Sequence, residues 1–411
     1  PHFISQQDIK ILKDKDLIKR LDTILIDEIS LVRADLFDAI DVSLKMNRGN
    51  DEPFGGVQVV VFGDVMQLDP IIGKTDEEIM QKFYPEGVYF FNANCFTEGN
   101  LQNIELTKNF RQKDKSFIDL LNSIRTGSVD EKKLAFLNNR TVTIDDLPKE
   151  TIILAPTNRK VDDINFSHLY QLKTPTFNYD AVVKGTFKEK EYPVEKNLKL
   201  KVGAQIMITK NDTDIPQKWV NGTLGTIQSL SKDKIKILID DKSYYLGKAK
   251  WDKYEYKFSG NRVDTSIKGS FIQYPIKLAW ATTIHKSQGQ TFEKVAIDLD
   301  TGAFAHGQTY VALSRAKSLE GIYLLNKINK KDIIFDKKVL DFVNNKSVIK
   351  KVTKKKTQEN IEIKDQSSWS TRDDNKLIAL YKRNVPEIAL SKMFKKTISQ
   401  VRERIIYLMK K

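Results

Sequence analysis

Two apolar runs in this sequence end on residues that could handle a phosphate. LDTILIDE (21–28) delivers Asp27 and Glu28, and GVQVVVFGD (56–64) delivers Gly63 and Asp64, with Gln67 three residues further on. Carboxylates at the carboxyl ends of neighbouring strands lie where open α/β sheets bind ligands. In a nucleotide hydrolase the aspartate would hold Mg²⁺, usually through water, while the glutamate would orient and deprotonate the attacking water. A glutamine amide beside them can sense a γ-phosphate. The plainer alternatives are helix-capping charges for Asp27 and Glu28 and an ordinary polar loop for GDVMQLDP (63–70).

Arginines and a polar cluster extend the pattern. TKNFRQ (107–112) and YVALSRAKS (310–318) set Arg111 and Arg315 at element boundaries, and a planar guanidinium stabilises charge on a transferring phosphoryl group. WATTIHKSQGQTF gathers Thr282, Thr283, His285, Lys286, Ser287 and Gln288 around Gly289, a density of small hydrogen-bonding groups suited to phosphate and backbone contacts. His285 has no second ligand nearby in sequence, which argues against a metal role. GAFAHGQT (302–309) has the glycine spacing of a phosphate-binding loop but carries Gln308 where lysine is required.

These residues need a scaffold of parallel strands and crossing helices. Strand, polar loop and helix alternate from Leu21 onward, with Leu36, Phe37, Ile40 and Leu44 at helical spacing between the two acidic strands, whose ends are expected side by side. A second α/β unit starts at TIILAPTN (151–158), continues into a helix around Val161 to Tyr170 and resumes near Tyr274. Between these parts, 200–272 reads as short alternating strands with Gly/Asn/Asp turns, a small inserted β-barrel or sheet. A charged linker (346–367) and a helical unit (368–411) close the chain. The first α/β unit is assigned to 1–148 and the second to 149–199 and 273–345.

Composition limits the classes available. At 411 residues with 40% hydrophobic and 30% charged residues, the chain has material for several packed cores. No apolar run approaches the roughly 20 residues of a membrane helix, and the single cysteine, Cys95, excludes an internal disulfide and a cysteine-based zinc cluster. A reducing, cytoplasmic setting is expected, with nucleoid association in a bacterium. The net charge of +14 points to a polyanionic partner. Residues 346–411 hold 18 Lys/Arg against 7 Asp/Glu, or +11, leaving +3 for the rest. Pro1 in place of an initiator methionine reads as a truncated chain.

LIDEISLVRADLFDAID, PFGGVQVVVFGDVMQL, ELTKNFRQ, IILAPTN, TTIHKSQGQTF and YVALSRA resemble, in order and spacing, motifs II to VI of the Pif-type DNA helicases, a RecD-like group of superfamily 1B. The likeness covers roughly 20–325, and GNDEPFGGVQVV resembles the segment that distinguishes the group. It implies an α/β fold of two RecA-like P-loop NTPase domains, the first incomplete here, with an SH3-like β-barrel insertion and a C-terminal three-helix module. It places Asp27 and Glu28 on motif II, Gly63, Asp64 and Gln67 on motif III, Arg111 on motif IV and Arg315 on motif VI, with Gly289 beside the nucleotide. Asn158, Thr283, His285 and Lys286 fall where the family contacts DNA. The implied cofactors are ATP and Mg²⁺, the metal held by Asp27. The implied partners are single-stranded and forked DNA, met by a monomer moving 5′ to 3′ and unwinding forks and often G-quadruplexes. Asp69 departs from the usual QLPP, in which proline follows the leucine. The P-loop is expected upstream of Pro1, which leaves ATP turnover to the parent protein.

The tail is read separately. WSTRDDNKLIALYKRNVPEIALSKMFKKTISQVRERIIYL has three helical segments, with Leu377, Ile378, Leu380 and Tyr381 on the first, Pro386 to Met393 as the second, and Val401, Ile405 and Leu408 inward on the third. It resembles Myb-like or homeodomain-like helix-turn-helix modules anchored by Trp369, with Lys392, Lys395, Lys396, Arg402 and Arg404 positioned for DNA. A helical bundle for protein contact is its rival. For the whole chain, the rivals are a metal nuclease using Asp27, Glu28 and Asp64, and a DNA-docking protein with a vestigial motor.

Overall fold

Thr23–Ile26 (β1) and Gln58–Val61 (β2) pair in parallel with Ile26 opposite Val61, so their carboxyl ends lie side by side as expected. The chain between them forms Ala34–Arg48 (α1), which buries Phe37 and Leu44 and ends on Gly49 in the left-handed conformation. Leu36, on the expected apolar stripe, is instead exposed. The PFGG segment then turns sharply, with Phe54 at φ 53° and Gly55 at φ 61°. The Phe54 amide donates to Asp41 Oδ1 at 2.6 Å and its ring lies 5.5 Å from that of Phe37. A Cβ on Gly55 would stand 2.8 Å from the Leu44 carbonyl, so the close approach of this turn to α1 requires glycine.

The computed structural model describes residues 3–5, 8–12, 15–73, 75–99, 101–106, 108–214, 216–259, 262–344, 349–351, 369–382, 390, 393–394, 396, 401, 404–405 and 408. It divides into a large unit, Pro1–Lys350, and a small one, Lys351–Lys411.

Within the large unit, Lys115–Arg125 (α2) and Glu131–Asn138 (α3) precede a second parallel sheet. Its strands are Ile152–Ala155 (β3), Ala281–Thr283, Val295–Ile297 and Ile322–Leu324, with β3 between the second and third of these. Asn158–Gln171 (α4) follows β3 directly. Ile152, Leu154, Val295, Ile297, Val311 and Leu324 form the core of this second sheet, and Phe117, Leu120, Leu121 and Ile124 of α2 with Leu134 and Leu137 of α3 pack into the same cluster. These two helices, which precede the boundary expected at 148, thus pack against the second sheet, in a cluster that also takes in Leu68 from the loop after β2. The apolar face of an amphipathic helix marks a buried side but does not say which sheet will cover it.

Antiparallel strands interrupt this second unit over a wider range than 200–272. They are Phe177–Asp180 (β4), Val182–Gly185 (β5), Asn197–Leu200 (β6), Gln205–Ile208 (β7), Leu224–Leu230 (β8), Ile235–Ile239 (β9), Lys242–Leu246 (β10), Ala249–Ser259 (β11), Arg262–Gln273 (β12) and Ile276–Leu278 (β13). Five of them form a sheet in the order β10-β9-β8-β7-β13. Ile206, Ile208, Ile227, Ile235, Ile237 and Ile276 bury its inner face, the alternation expected of a sheet with one covered side. The strands of the resumed parallel sheet are then Ala281–Thr283 (β14), Val295–Ile297 (β15) and Ile322–Leu324 (β16), with Gln308–Ser314 (α5) between the last two. Lys337–Asn344 (α6) returns to the first core, where Phe342 stacks on Phe91 at 4.2 Å. No helix of the described residues is long and apolar enough to cross a membrane.

In the small unit, Thr371–Lys382 (α7) starts at Ser370, whose hydroxyl accepts from the Asp373 amide at 3.1 Å. Leu377, Leu390, Val401 and Ile405 are buried, with Trp369, Leu380, Phe394 and Leu408 packed on them. Tyr381, at the end of α7, is exposed. Most of the expected second and third helices, including Lys392, Lys395 and Arg402, lies outside the described residues. Lys396 sits 5.9 Å from the Trp369 ring. Arg404 does not stand free for a DNA groove: its Nε and Nη2 fork onto the two oxygens of Asp374, both at 2.8 Å.

Candidate nucleotide cleft and nucleic-acid face

The loops after β1 and β2 are locked together before they meet anything else. Glu28 takes a left-handed backbone, φ 51°, and its amide donates to Asp27 Oδ1 at 2.9 Å. The next amide, Ile29, donates to the Phe62 carbonyl at 2.8 Å. A Cβ on Gly63 would be 3.0 Å from Ile29 N, so glycine lets the two loops close. A non-glycine residue held at positive φ beside a cleft is a usual mark of a functional position.

The second unit covers these strand ends. Gln288, in the turn after β14, donates from Nε2 to Glu28 Oε2 at 2.9 Å. Gly289, at φ 78°, is the neighbour whose Cβ would come 3.9 Å from the other Glu28 oxygen. Asp64 is engaged from the same side: Arg125 Nη2 at the end of α2 reaches its Oδ1 at 3.1 Å, and the Tyr310 hydroxyl of α5 donates to its Oδ2 at 3.3 Å. With one partner on each carboxylate oxygen, Asp64 ties the two units together. Gly307 makes this contact possible, because a Cβ there would fall 2.4 Å from the Gln67 carbonyl oxygen. That close approach explains the glycine in GAFAHGQT without any phosphate.

Arg315 is 1% exposed. Its Nε donates to Val311 O at 3.0 Å, its Nη2 to Ser314 Oγ at 2.8 Å and its Nη1 to Gln290 O at 3.4 Å, so among the described residues it has no carboxylate partner. Burial, and then the neighbouring Arg111, push its guanidinium down to about 10, while Tyr310, Glu28 and Asp64 act the other way. It therefore remains cationic at neutral pH, a buried charge that favours an anion. Arg111 donates from Nη1 to Ser314 O at 3.2 Å, and Gln112 Nε2 bonds both Ser314 O and Ala316 O. The two arginines stand on one wall, because the Arg111 loop is stitched to the end of α5.

The residues present fit a nucleotide with a divalent ion. Gln67 Oε1 and Gln288 Oε1 are buried without a hydrogen-bond partner among the described residues, the kind of atom that polar ligands satisfy. No group of three or more His, Cys, Asp or Glu side chains converges among the described residues. An ion at exposed Asp27 would thus take most of its ligands from phosphate oxygens and water, the habit of Mg²⁺.

On the other side of the β14 turn, Lys286 Nζ donates to Asn158 Oδ1, the first residue of α4, at 3.0 Å. Thr283 is 4% exposed, and its hydroxyl accepts from the Lys286 amide at 3.1 Å, so it shapes the turn and presents nothing outward. Burial pulls the His285 imidazole below its ordinary value. Arg125, Tyr310 and Ser314 were not expected from the sequence. Arg125 is the last residue of an ordinary amphipathic helix and carries no motif that could have marked it.

Comparison with known proteins then fixes the family. A PIF1-like helicase profile matches residues 5–135. "ATP-dependent DNA helicase Pif1" of Campylobacter jejuni is 32% identical over 351 residues, covering 79% of this chain and 74% of the relative. The chain belongs to the PIF1-like helicase family. Unliganded Pif1 from Bacteroides sp superposes with a TM-score of 0.73 at 37% identity, covering 83% of this chain and 80% of that one. Bacteroides Pif1 in complex with ADP-AlF3 and ssDNA gives 0.61 at 37% identity, covering 83% and 80%.

Asp69, the departure from the family's QLPP, takes part in a contact between the loop after β2 and α6. The Tyr89 hydroxyl lies 3.1 Å from Asp69 Oδ1 and 2.7 Å from Asp336 Oδ2. His306 accepts the Asp336 amide at Nδ1 (2.8 Å), which leaves Nε2 to donate to Val65 O at 3.2 Å. Burial raises the Asp69 carboxyl above its ordinary value, and nearby Asp336 adds to the rise, while His306 and the Tyr89 bond oppose it. A carboxyl raised in the folded state binds its proton more tightly there. The stability it contributes is present below the ordinary carboxylate range and is lost as pH rises through the raised value. Asp69→Asn should therefore melt about 1–2 °C above the wild type at pH 7, with the gain vanishing toward pH 4, as scanning calorimetry would show. A gain of equal size at both pH values would contradict this account.

Proposed function

We propose that this chain is the motor portion of an ATP-dependent DNA helicase that moves 5′ to 3′ on single-stranded DNA and opens forks and G-quadruplexes, using ATP and Mg²⁺ and acting as a monomer when free. One observation carries the reading. The turn after β14 is a single short segment that holds Gln288 on Glu28 at one end and Lys286 on Asn158 at the other. A change at a γ-phosphate near Glu28 thereby moves a residue facing DNA with no intermediary longer than this turn. The relatives' printed names, ATP-dependent DNA helicase and a complex with ADP-AlF3 and ssDNA, support the same assignment. In this reading Asp27 holds Mg²⁺, Glu28 activates water, Gln67 senses the γ-phosphate, and Arg111 and Arg315 neutralise the charge transferred.

The basic tail acts here as a tethered DNA-binding module. Tethering a second DNA-binding module to the motor raises the local DNA concentration that the motor meets.

The test is strand displacement by the full-length gene product on duplexes with a 5′ or a 3′ single-stranded tail. Unwinding of the 5′-tailed substrate alone, dependent on ATP and Mg²⁺, is expected. Removing residues 366–411 should weaken DNA binding at moderate salt and spare unwinding at saturating DNA. DNA binding with no displacement of either substrate would favour a docking protein, and cleavage without nucleotide a nuclease.

A further inference from the structure

Gln67 stands on a loop that is held from the second unit on both sides of it. Val65 O accepts from His306 Nε2 at 3.2 Å. Met66 is buried against Tyr89 and against Val339 of α6. The Gln67 carbonyl lies so near Gly307 that a Cβ there would stand 2.4 Å from it. Leu68 is buried in the core of the second parallel sheet, and Asp69 comes next, 3.1 Å from the Tyr89 hydroxyl. Amid these anchors the Gln67 Oε1 is buried without a hydrogen-bond partner among the described residues. The backbone of the loop is thus fixed while one polar atom of its glutamine is left for a ligand.

Three side chains do the fastening. The buried His306 accepts the Asp336 amide at Nδ1 at 2.8 Å, which sets the tautomer and turns the Nε2 hydrogen onto Val65 O. Asp336 stands at the start of α6, where its Oδ1 accepts the Lys338 amide at 2.8 Å and its Oδ2 accepts the Tyr89 hydroxyl at 2.7 Å. Tyr89 is anchored in the first unit: its ring stacks on Phe91 at 5.0 Å, and the carbonyl of the preceding Val88 accepts the Ala34 amide at 2.9 Å. The circuit runs from the start of α1 through Tyr89 to Asp336 and His306, and back to the loop that carries Gln67. Both of its ends lie in the first unit and its middle lies in the second.

We propose that Tyr89, His306 and Asp336 are positioning residues for Gln67, a clasp by which the second unit holds the loop after β2 where the Gln67 amide can meet a γ-phosphate. The inference rests on the reading of Gln67 as the γ-phosphate sensor and names what keeps it in place. Placement matters for such a group, because a shift of about 1 Å can cost up to roughly 10²-fold in rate. Any motion that parts the two units also opens the clasp, so Gln67 is released together with the contacts of Asp64 to Arg125 and Tyr310.

Steady-state ATP turnover by the full-length gene product at saturating oligo-dT gives kcat and KM for each variant, and scanning calorimetry gives its stability. Tyr89→Phe keeps the ring on Phe91 and loses only the hydroxyl. It should fold, and lower kcat about five- to tenfold with KM for ATP within about twofold of wild type. His306→Leu should act in the same way, and His306→Gln, whose Nε2 can still donate to Val65 O, should restore most of the rate. Tyr89→Phe added to Gln67→Ala should be no slower than Gln67→Ala alone, since the clasp then has no amide to place. Wild-type kcat in folded Tyr89→Phe and His306→Leu beside a slow Gln67→Ala would overturn the clasp and keep the sensor, whatever the melting temperatures. Additive losses in the double variant would also overturn the clasp, because they mark an action on the site that bypasses Gln67. Wild-type kcat in Gln67→Ala would end the reading of Gln67, and the proposal with it.

Discussion

Glu28→Gln in the full-length gene product is expected to lower DNA-stimulated ATP turnover about 100-fold or more while leaving oligo-dT affinity near that of the wild type. The substitution is almost isosteric, and the new amide oxygen can still accept from Gln288 Nε2, which now lies 2.9 Å from the carboxylate. The left-handed backbone at Glu28 and the Ile29 to Phe62 bond involve no side-chain charge and should persist. What disappears is a positioned base, whose contribution is typically 10²- to 10⁴-fold. Gln288→Ala should cost less, because Gln288 orients Glu28 without touching the attacking water. Turnover within about threefold of wild type in Glu28→Gln would assign the water to another group and end the proposed division of labour between Asp27 and Glu28.

The second large effect is expected at Arg315. Loss of a guanidinium that meets a transferring phosphoryl group costs about 10³-fold or more in turnover, with a smaller effect on nucleotide affinity. Arg315→Ala also removes a fully buried side chain that satisfies Val311 O, Gln290 O and Ser314 Oγ, so part of its defect will be structural. Arg315→Lys is the sharper variant. It keeps a charge in the same place but not the planar fork that can hold these groups and a phosphate together. A folded Arg315→Lys protein should bind nucleotide within a few-fold of wild type and turn it over at least 100-fold more slowly. If its kcat were close to wild type while its melting temperature fell, Arg315 would be a structural arginine only. Arg111 shares the wall with it and bonds the carbonyl of Ser314, whose hydroxyl takes Arg315 Nη2, so the two losses should be far from additive.

Much of the cleft could be read from residue order. An apolar run of strand length that ends on carboxylates specifies a buried parallel strand with its acidic end at the ligand edge, and β1 and β2 pair with those ends adjacent. The GxxxxGQT segment was separable from a true phosphate loop by one missing lysine. Local patterns of this kind survive folding because side-chain alternation, helical spacing and glycine torsions are properties of a few consecutive residues.

Contacts between distant segments carry no such signature. The bond from Gln288 to Glu28 joins residues 260 positions apart, and the Arg125 to Asp64 pair joins two elements assigned by sequence to one unit. The apolar faces of α2 and α3 announced burial but not the sheet that receives them. The fork of Arg404 onto Asp374 likewise joins residues 30 positions apart, and nothing in the charge pattern of the tail announces it. Lys277 shows the converse. In sequence it is one lysine in a short apolar stretch, and only the pairing of β13 with β7, which sets it opposite Met207, turns it away from the insertion's core, because the face a side chain takes is set by register, and register by the partner strand.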